Sequence, residues 1–228
     1  MKSFMVISCM VVALIFVMMS AGIANAQVDV LTFQGLQSEE QVLNYYNGGL
    51  GGNGSGPGPN YGITFGSDSI AGVSAAAGGP DNNYNQPSGS NTCLYFLSGS
   101  DIMNVSAGFT TGFSFYESGP DGGTVNVYSG LNDTGTLLAS LPLLATPQGD
   151  TDGGKVNGYY SVWQAVGVTF SGTAESVDFG GTANYIAFDA ITLGSSTPNS
   201  TVPEPCTMLL FGSGLVGLAA YRFKFKKA

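Results

Sequence analysis

Between residues 28 and 193 the chain sustains no long helical repeat of apolar residues. Short β-rich runs alternate instead with clusters of Gly, Asn, Asp, Ser and Pro, and 35 glycines are spread along its 228 residues. Successive side chains of a strand point to opposite faces, so a half-buried strand alternates apolar with polar. Val125-Asn126-Val127-Tyr128 and Tyr185-Ile186-Ala187-Phe188-Asp189-Ala190-Ile191 carry that period. Runs of this length, each bounded by turn residues, restrict the body to sheets joined by turns. The spacing predicts strands at Val28–Phe33, Gly62–Phe65, Thr92–Leu97, Gly108–Tyr116, Thr124–Tyr128, Leu137–Pro142, Ser161–Phe170, Ser176–Phe179 and Tyr185–Leu193. One helix is predicted, Ser38–Tyr46, with Ser38 as its cap and Gln41 three residues on. The fold expected is all-β, a jelly-roll-like β-sandwich.

Residues 47–60 (NGGLGGNGSGPGPN) and 71–91 (AGVSAAAGGPDNNYNQPSGSN) hold too few large apolar residues to build a core. They are expected to be surface loops. Residues 194–201 (GSSTPNST) read as a flexible spacer.

The ends are addressing segments. Lys2, the apolar stretch from Phe4 to Ala21 and the small residues Ala24-Asn25-Ala26 form the three parts of a secretory signal peptide. Residues 1–26 are therefore expected as a signal helix, leaving 27–193 as one ectodomain. Fourteen of the fifteen acids lie between residues 27 and 202 with a single base, Lys155, for a net charge of −13. A body so acidic repels nucleic acid and anionic membranes. The chain has no histidine, which excludes Ser-His-Asp and Cys-His catalysis and histidine-ligated zinc. Cys9 falls in the signal peptide and Cys206 in the tail. Cys93, among Leu94, Tyr95 and Phe96, is expected to be buried.

The tail, 202–228, opens on Val202-Pro203-Glu204-Pro205. Its apolar stretch, counted from Cys206 to Phe223, would make a helix of about 27 Å, barely the thickness of a bilayer core. Arg222, Lys224, Lys226 and Lys227 follow and favour the cytoplasmic side, which places the acidic body outside. In that order the features resemble the PEP-CTERM sorting signal of Gram-negative bacteria. The resemblance implies recognition by the membrane protease-transpeptidase exosortase, transient tethering in the inner membrane through a C-terminal transmembrane helix, and cleavage near the Pro-Glu-Pro. Such proteins are common in bacteria that make exopolysaccharide or biofilm. The body resembles, more loosely, an ectodomain type found on PEP-CTERM proteins, through Asn44–Gly49, Gly58–Phe65, Val125–Gly130 and Ile186–Leu193. That resemblance implies a sandwich and brings no activity.

Chemistry in the body must come from carboxylates or aromatic rings. Asp81, Asp121, Asp133, Asp150 and Asp152 sit mainly in Gly-rich loops, where Asp serves turns. Asp150-Thr151-Asp152-Gly153 begins like a calcium loop but places Gly154 at the fifth, ligand position, Lys155 at the sixth, where the turn glycine belongs, and Ser161 where the bidentate Glu belongs. Calcium bound between Asp29 of the first strand and Asp189 of the last is the one cofactor expectation. Tyr45, Tyr46 and Tyr61 lie beside Asn and Gly, and their rings are candidates to stack on sugars. The resulting expectation is a non-catalytic, exported surface or matrix protein that acts by adhesion or by association with exopolysaccharide. A secreted glycoside hydrolase with paired carboxylates and a purely structural matrix protein are the alternatives.

Overall fold

The computed structural model describes residues 28–80, 83–85, 90–151, 153–180 and 183–199. The predicted signal helix, Val202-Pro203-Glu204-Pro205, the C-terminal apolar run and the basic tail lie outside the described residues. Among the described residues no helix is long and apolar enough to cross a membrane.

Twelve strands form among the described residues: β1 (Asp29–Leu31), β2 (Glu40–Gln41), β3 (Ile63–Phe65), β4 (Ser69–Val73), β5 (Thr92–Phe96), β6 (Asp101–Phe109), β7 (Gly112–Ser118), β8 (Gly123–Tyr128), β9 (Leu137–Leu143), β10 (Gln164–Thr169), β11 (Ala174–Phe179) and β12 (Ala187–Leu193). They make two antiparallel sheets. The first runs β10-β7-β12-β5-β4-β2, with β1 also on β12; the second runs β3-β6-β11-β8-β9. From β5 onward the chain crosses repeatedly between sheets, so that β5-β12-β7-β10 belong to one and β6-β11-β8-β9 to the other. That is the strand order of a jelly roll.

The alternation predicted from sequence sets the core. Phe113 and Phe115 of β7 and Phe188 of β12 face inward from the first sheet, and Val125, Val127, Val177 and Phe179 from the second. Phe179 meets Phe188 across the sandwich with ring centroids 5.0 Å apart, and Phe115 meets Phe188 at 5.5 Å. Each such ring withdrawn from water contributes about 1.5–3 kcal/mol. Cys93 is buried, as its neighbours implied.

Four expectations need correction. Ser38–Tyr46 is not a helix: Glu40 and Gln41 pair with Ala71 and Ile70, and turns fill the rest. Glu39 and Leu43 adopt φ of 60° and 46°, which no right-handed helix admits. A two-turn segment has little helical stability of its own to set against this. The run Gly108–Tyr116 breaks at Thr110–Thr111, where the chain passes from β6 in one sheet to β7 in the other. Phe109 and Phe113 both still face the core, 5.8 Å apart, so the apolar pattern reads straight through the corner. The segment 71–91 is not all loop, because β4 extends into it. The spacer, through Asn199, lies against β7 and β12 rather than free of them.

Candidate functional site

The residues singled out from sequence scatter. Tyr45 and Tyr46 are core residues, 7 % and 3 % exposed, and their rings meet edge to face at 5.3 Å. Their hydroxyls are used internally: Tyr46 accepts from Phe33 N–H at 2.6 Å, and Tyr45 donates to Gln34 O at 2.8 Å. Burial pushes both phenols above their ordinary range. No sugar can stack on rings packed in this way, so those two contact candidates are withdrawn. Tyr61 is half-buried, stacked on Tyr46 with 14° between ring planes. It lines a cleft of about 480 Å³ together with Asn60 and Asp29.

Asp29 and Asp189 do not meet. The first and last strands are neighbours as expected, but Asp29 pairs with Leu193 and Leu31 with Ile191. Asp189 is therefore four residues along the ladder, about 13 Å from the Asp29 position. Calcium–oxygen bonds of about 2.3–2.6 Å cannot join them. Asp189 is fully buried, and its Oδ1 accepts the Ala190 N–H at 2.6 Å. Ala190 holds φ of 48° where the β12–β7 register shifts, so the carboxyl braces a bulge. Burial raises this carboxyl well above its ordinary range, against the bonds from Ala190 and Ser90.

A different surface concentrates binding chemistry. On β5, Leu94 and Phe96 are in the core, which turns Cys93 and Tyr95 to the outer face of the first sheet. Ile70, paired with Tyr95 across β4·β5, and Ala187 of β12 complete an apolar floor. Tyr84 rises over this floor and donates its hydroxyl to Gly72 O, which lies opposite Cys93. Tyr84 also bridges Tyr160 backbone to backbone, and Tyr160 and Trp163 pack on the Tyr84–Cys93–Ala187 cluster.

Three chain segments distant in sequence are thereby latched into walls. Tyr160 donates its hydroxyl to Asn184 O, Trp163 Nε1 donates to Asn85 O, and Lys155 Nζ donates to Asn83 Oδ1. Burial, with Tyr185 adding to it, pushes the Tyr160 phenol up to about 12, so it stays a donor. The cleft they enclose is about 490 Å³ and opens between Asn83, Asn184, Leu97 and Glu39. A volume of this order suits a small ligand or a short oligomer segment. Aromatic rings on the wall and floor with amides at the mouth match a sugar, whose C–H face is apolar and whose rim is hydroxyl. Glu39 is the one carboxylate lining the cleft among the described residues, whereas glycoside hydrolysis uses two set about 5–9.5 Å apart. No group of three or more metal-ligating side chains occurs among the described residues. Tyr84 and Tyr160 sit in Asn/Gly-rich sequence, but Ile70 and Tyr95 carry no local mark of a site.

Residues 201–224 match the PEP-CTERM protein-sorting motif. No curated protein sequence matches the chain. Among solved structures, a carbohydrate-binding module of Cellvibrio mixtus lichenase 5A, in complex with cellotriose, is similar at 8 % identity and a TM-score of 0.35, covering 57 % of this chain and 88 % of that one. A family 43 arabinoxylan arabinofuranohydrolase from Bacillus subtilis is similar at 20 % identity and a TM-score of 0.34, over 57 % of this chain and 25 % of that one. A cleaved adhesin domain of Lys-gingipain from Porphyromonas gingivalis gives 16 % and 0.33, over 58 % and 98 %. At these TM-scores the likenesses carry no argument about function, which rests on the chain's own residues.

Proposed function

We propose that the PEP-CTERM motif at residues 201–224 makes this chain a substrate of exosortase, and that the released β-sandwich associates with extracellular polysaccharide without catalysis. In this reading residues 1–26 direct export and are removed. The apolar run holds the precursor in the inner membrane, with Arg222, Lys224, Lys226 and Lys227 inside and the body, of net charge −13, outside. Cleavage near Pro203-Glu204-Pro205 then delivers the domain to the cell surface or matrix.

The observation that carries the glycan reading is the cleft on the outer face of the first sheet. It combines an apolar floor at Ile70 and Tyr95, an aromatic wall at half-buried Tyr160 with buried Tyr84 bracing it from behind, and amides at Asn83 and Asn184. Tyr95 projects from a strand and Tyr160 is latched to Asn184, so the rings are held before a ligand arrives. Preorganisation of this kind reduces the ordering cost of binding.

Affinity electrophoresis of the exported protein through gels holding the host's own exopolysaccharide tests this. Wild type should be retarded, and Tyr95→Ala should lose most of the retardation while keeping its melting temperature within a few degrees. Wild type that migrates freely would refute polysaccharide association and favour a structural matrix role. Retardation that survives Tyr95→Ala and Asn184→Ala would remove the cleft from the proposal.

A further inference from the structure

The segment that joins the body to the sorting motif is held in a built groove. Ser195 and Ser196 pass over β7 and β10 at the two places where those strands carry glycine, Gly112 and Gly167. A Cβ on Gly112 would stand 2.8 Å from Ser195 C, and one on Gly167 would stand 2.8 Å from Ser196 C and overlap Ser196 O outright. Gly167 pairs directly with Ser114, whose hydroxyl donates to Ser195 O at 2.9 Å. Gly194 N–H donates to Gly112 O at 2.9 Å, and Asn199 N–H donates to Thr192 Oγ1 at 3.0 Å. Ser195 also closes a local turn with Thr197, its Oγ accepting the Thr197 N–H at 3.1 Å. A run of Gly, Ser and Thr that composition marks as flexible is thus seated on the sheet by glycine-floored strands and a side-chain donor.

Seating has a geometric consequence for the motif. Among the described residues Asn199 is the last tied to the body, and Pro203 follows four residues later. Four residues reach at most about 14 Å. A protease cleft must take extended chain on both sides of the bond it cuts, and a backbone hydrogen-bonded to a folded domain resists cleavage. With residues 194–199 in the groove, the folded body stands inside that reach; with the segment lifted, six more residues add about 20 Å. Hydrogen bonds to the body hold the segment at Gly194, Ser195 and Asn199, while Ser196, Thr197 and Asn199 are exposed, and exposed backbone of this kind belongs to the parts of a fold that open locally.

We infer that residues 194–199 act as a strap whose release from the Gly112–Ser114–Gly167 groove sets the rate at which exosortase cuts the tail. The inference rests on the sorting reading, and two measurements separate them. The first is digestion of the full-length chain by a broad-specificity protease, with cuts mapped by mass. The second is pulse-chase of the precursor in cells that carry the exosortase. Gly167→Ala should raise cutting within residues 194–199 at least five-fold and speed conversion of precursor to mature chain by a similar factor. Ser114→Ala, which adds no atom to the groove, should act in the same direction by about two- to three-fold, so misfolding of the alanine variant does not protect the idea. Unchanged digestion in both variants would overturn the docked strap. Faster digestion with unchanged conversion would overturn its control of processing while leaving the sorting reading intact. A wild-type precursor that is never converted would overturn the sorting reading and this inference with it.

Discussion

Glu40 offers the sharpest test of how the glycine-rich loop 49–58 is held. Its carboxylate has no exposure. Oε1 accepts from Asn53 N–H at 2.9 Å and Ser55 N–H at 3.0 Å, and Oε2 accepts from Gln37 N–H at 2.7 Å. Gly51 closes over the same group, and a Cβ there would stand 2.6 Å from Leu36 Cδ2. Burial alone would raise the Glu40 carboxyl. The bonds from the Ser55 side chain and from the backbone of Gln37, Ser55 and Asn53 outweigh it and hold the group below its ordinary range. Glu40→Gln can keep the two bonds at Oε1 but sets an amide donor against the Gln37 N–H. Loss of one charge-assisted bond with its donor left unpaired costs about 2–4 kcal/mol. In a domain of this size a cost of that order lowers Tm by roughly 5–15 °C. Thermal melts at pH 7 measure it, and digestion of residues 51–58 should begin at lower protease concentration. A lowered folded-state pKa contributes stability that is present above the unfolded carboxylate value and is lost as pH falls through the folded one. The gap between wild type and variant should therefore close in acid. A Glu40→Gln Tm within 2 °C of wild type at pH 7, or a gap that widens in acid, would refute this account of the loop.

Burial raises Glu117 to about 7, against the bond from Gln164, and raises Asp101 to about 7, against Ser69 and Ile102. A raised carboxyl gives stability that is complete below the unfolded value and is lost as pH climbs to the folded one, so Tm should fall between about pH 4.5 and 7. Glu117→Gln should flatten that decline in melts across the same range. Phe188→Ala, which empties the ring meeting both Phe115 and Phe179, should destabilise by about 3–5 kcal/mol in urea titration, with little change in m-value. Because Asp189 braces the Ala190 bulge and stands a ladder's length from Asp29, Asp189→Asn should melt at or above wild type at pH 7. Calcium should not separate the two melts; a calcium-dependent rise in Tm that Asp189→Asn abolishes would contradict that assignment.

The parts of this fold that were legible are those decided by neighbours in sequence. Val125 and Val127 alternate with polar residues, and a period of two needs no knowledge of what packs opposite. Cys93 is buried as its apolar run led one to expect, although the cover comes from Tyr84 and Tyr160 on the outer face of the sheet rather than from that run. The errors fall where a distant segment decides. Glu40 resembles a residue of a short helix until Asn53 and Ser55, thirteen and fifteen positions on, claim its carboxylate. Tyr45 and Tyr46 look exposed beside Asn and Gly, yet Phe33, two residues past β1, and Phe65 of β3 close over Tyr46. β4, Ser-Ile-Ala-Gly-Val, carries too little bulk to stand out, and its place in the sheet comes from pairing with β5. The same distinction separates the two functional features. A sorting tail is read as a linear string by its processing machinery, so its proline pair, apolar run and bases announce it in one dimension. The cleft draws Ile70, Tyr84, Tyr95, Tyr160 and Asn184 from five segments, and only the order β12-β5-β4 in the sheet brings them together. Strand order follows from pairing over long sequence separations, which composition and period do not encode. A cleft on such a sandwich is therefore hidden in sequence for the reason that makes it rigid: its walls are set by cross-sheet pairing and by latches such as Tyr160 to Asn184.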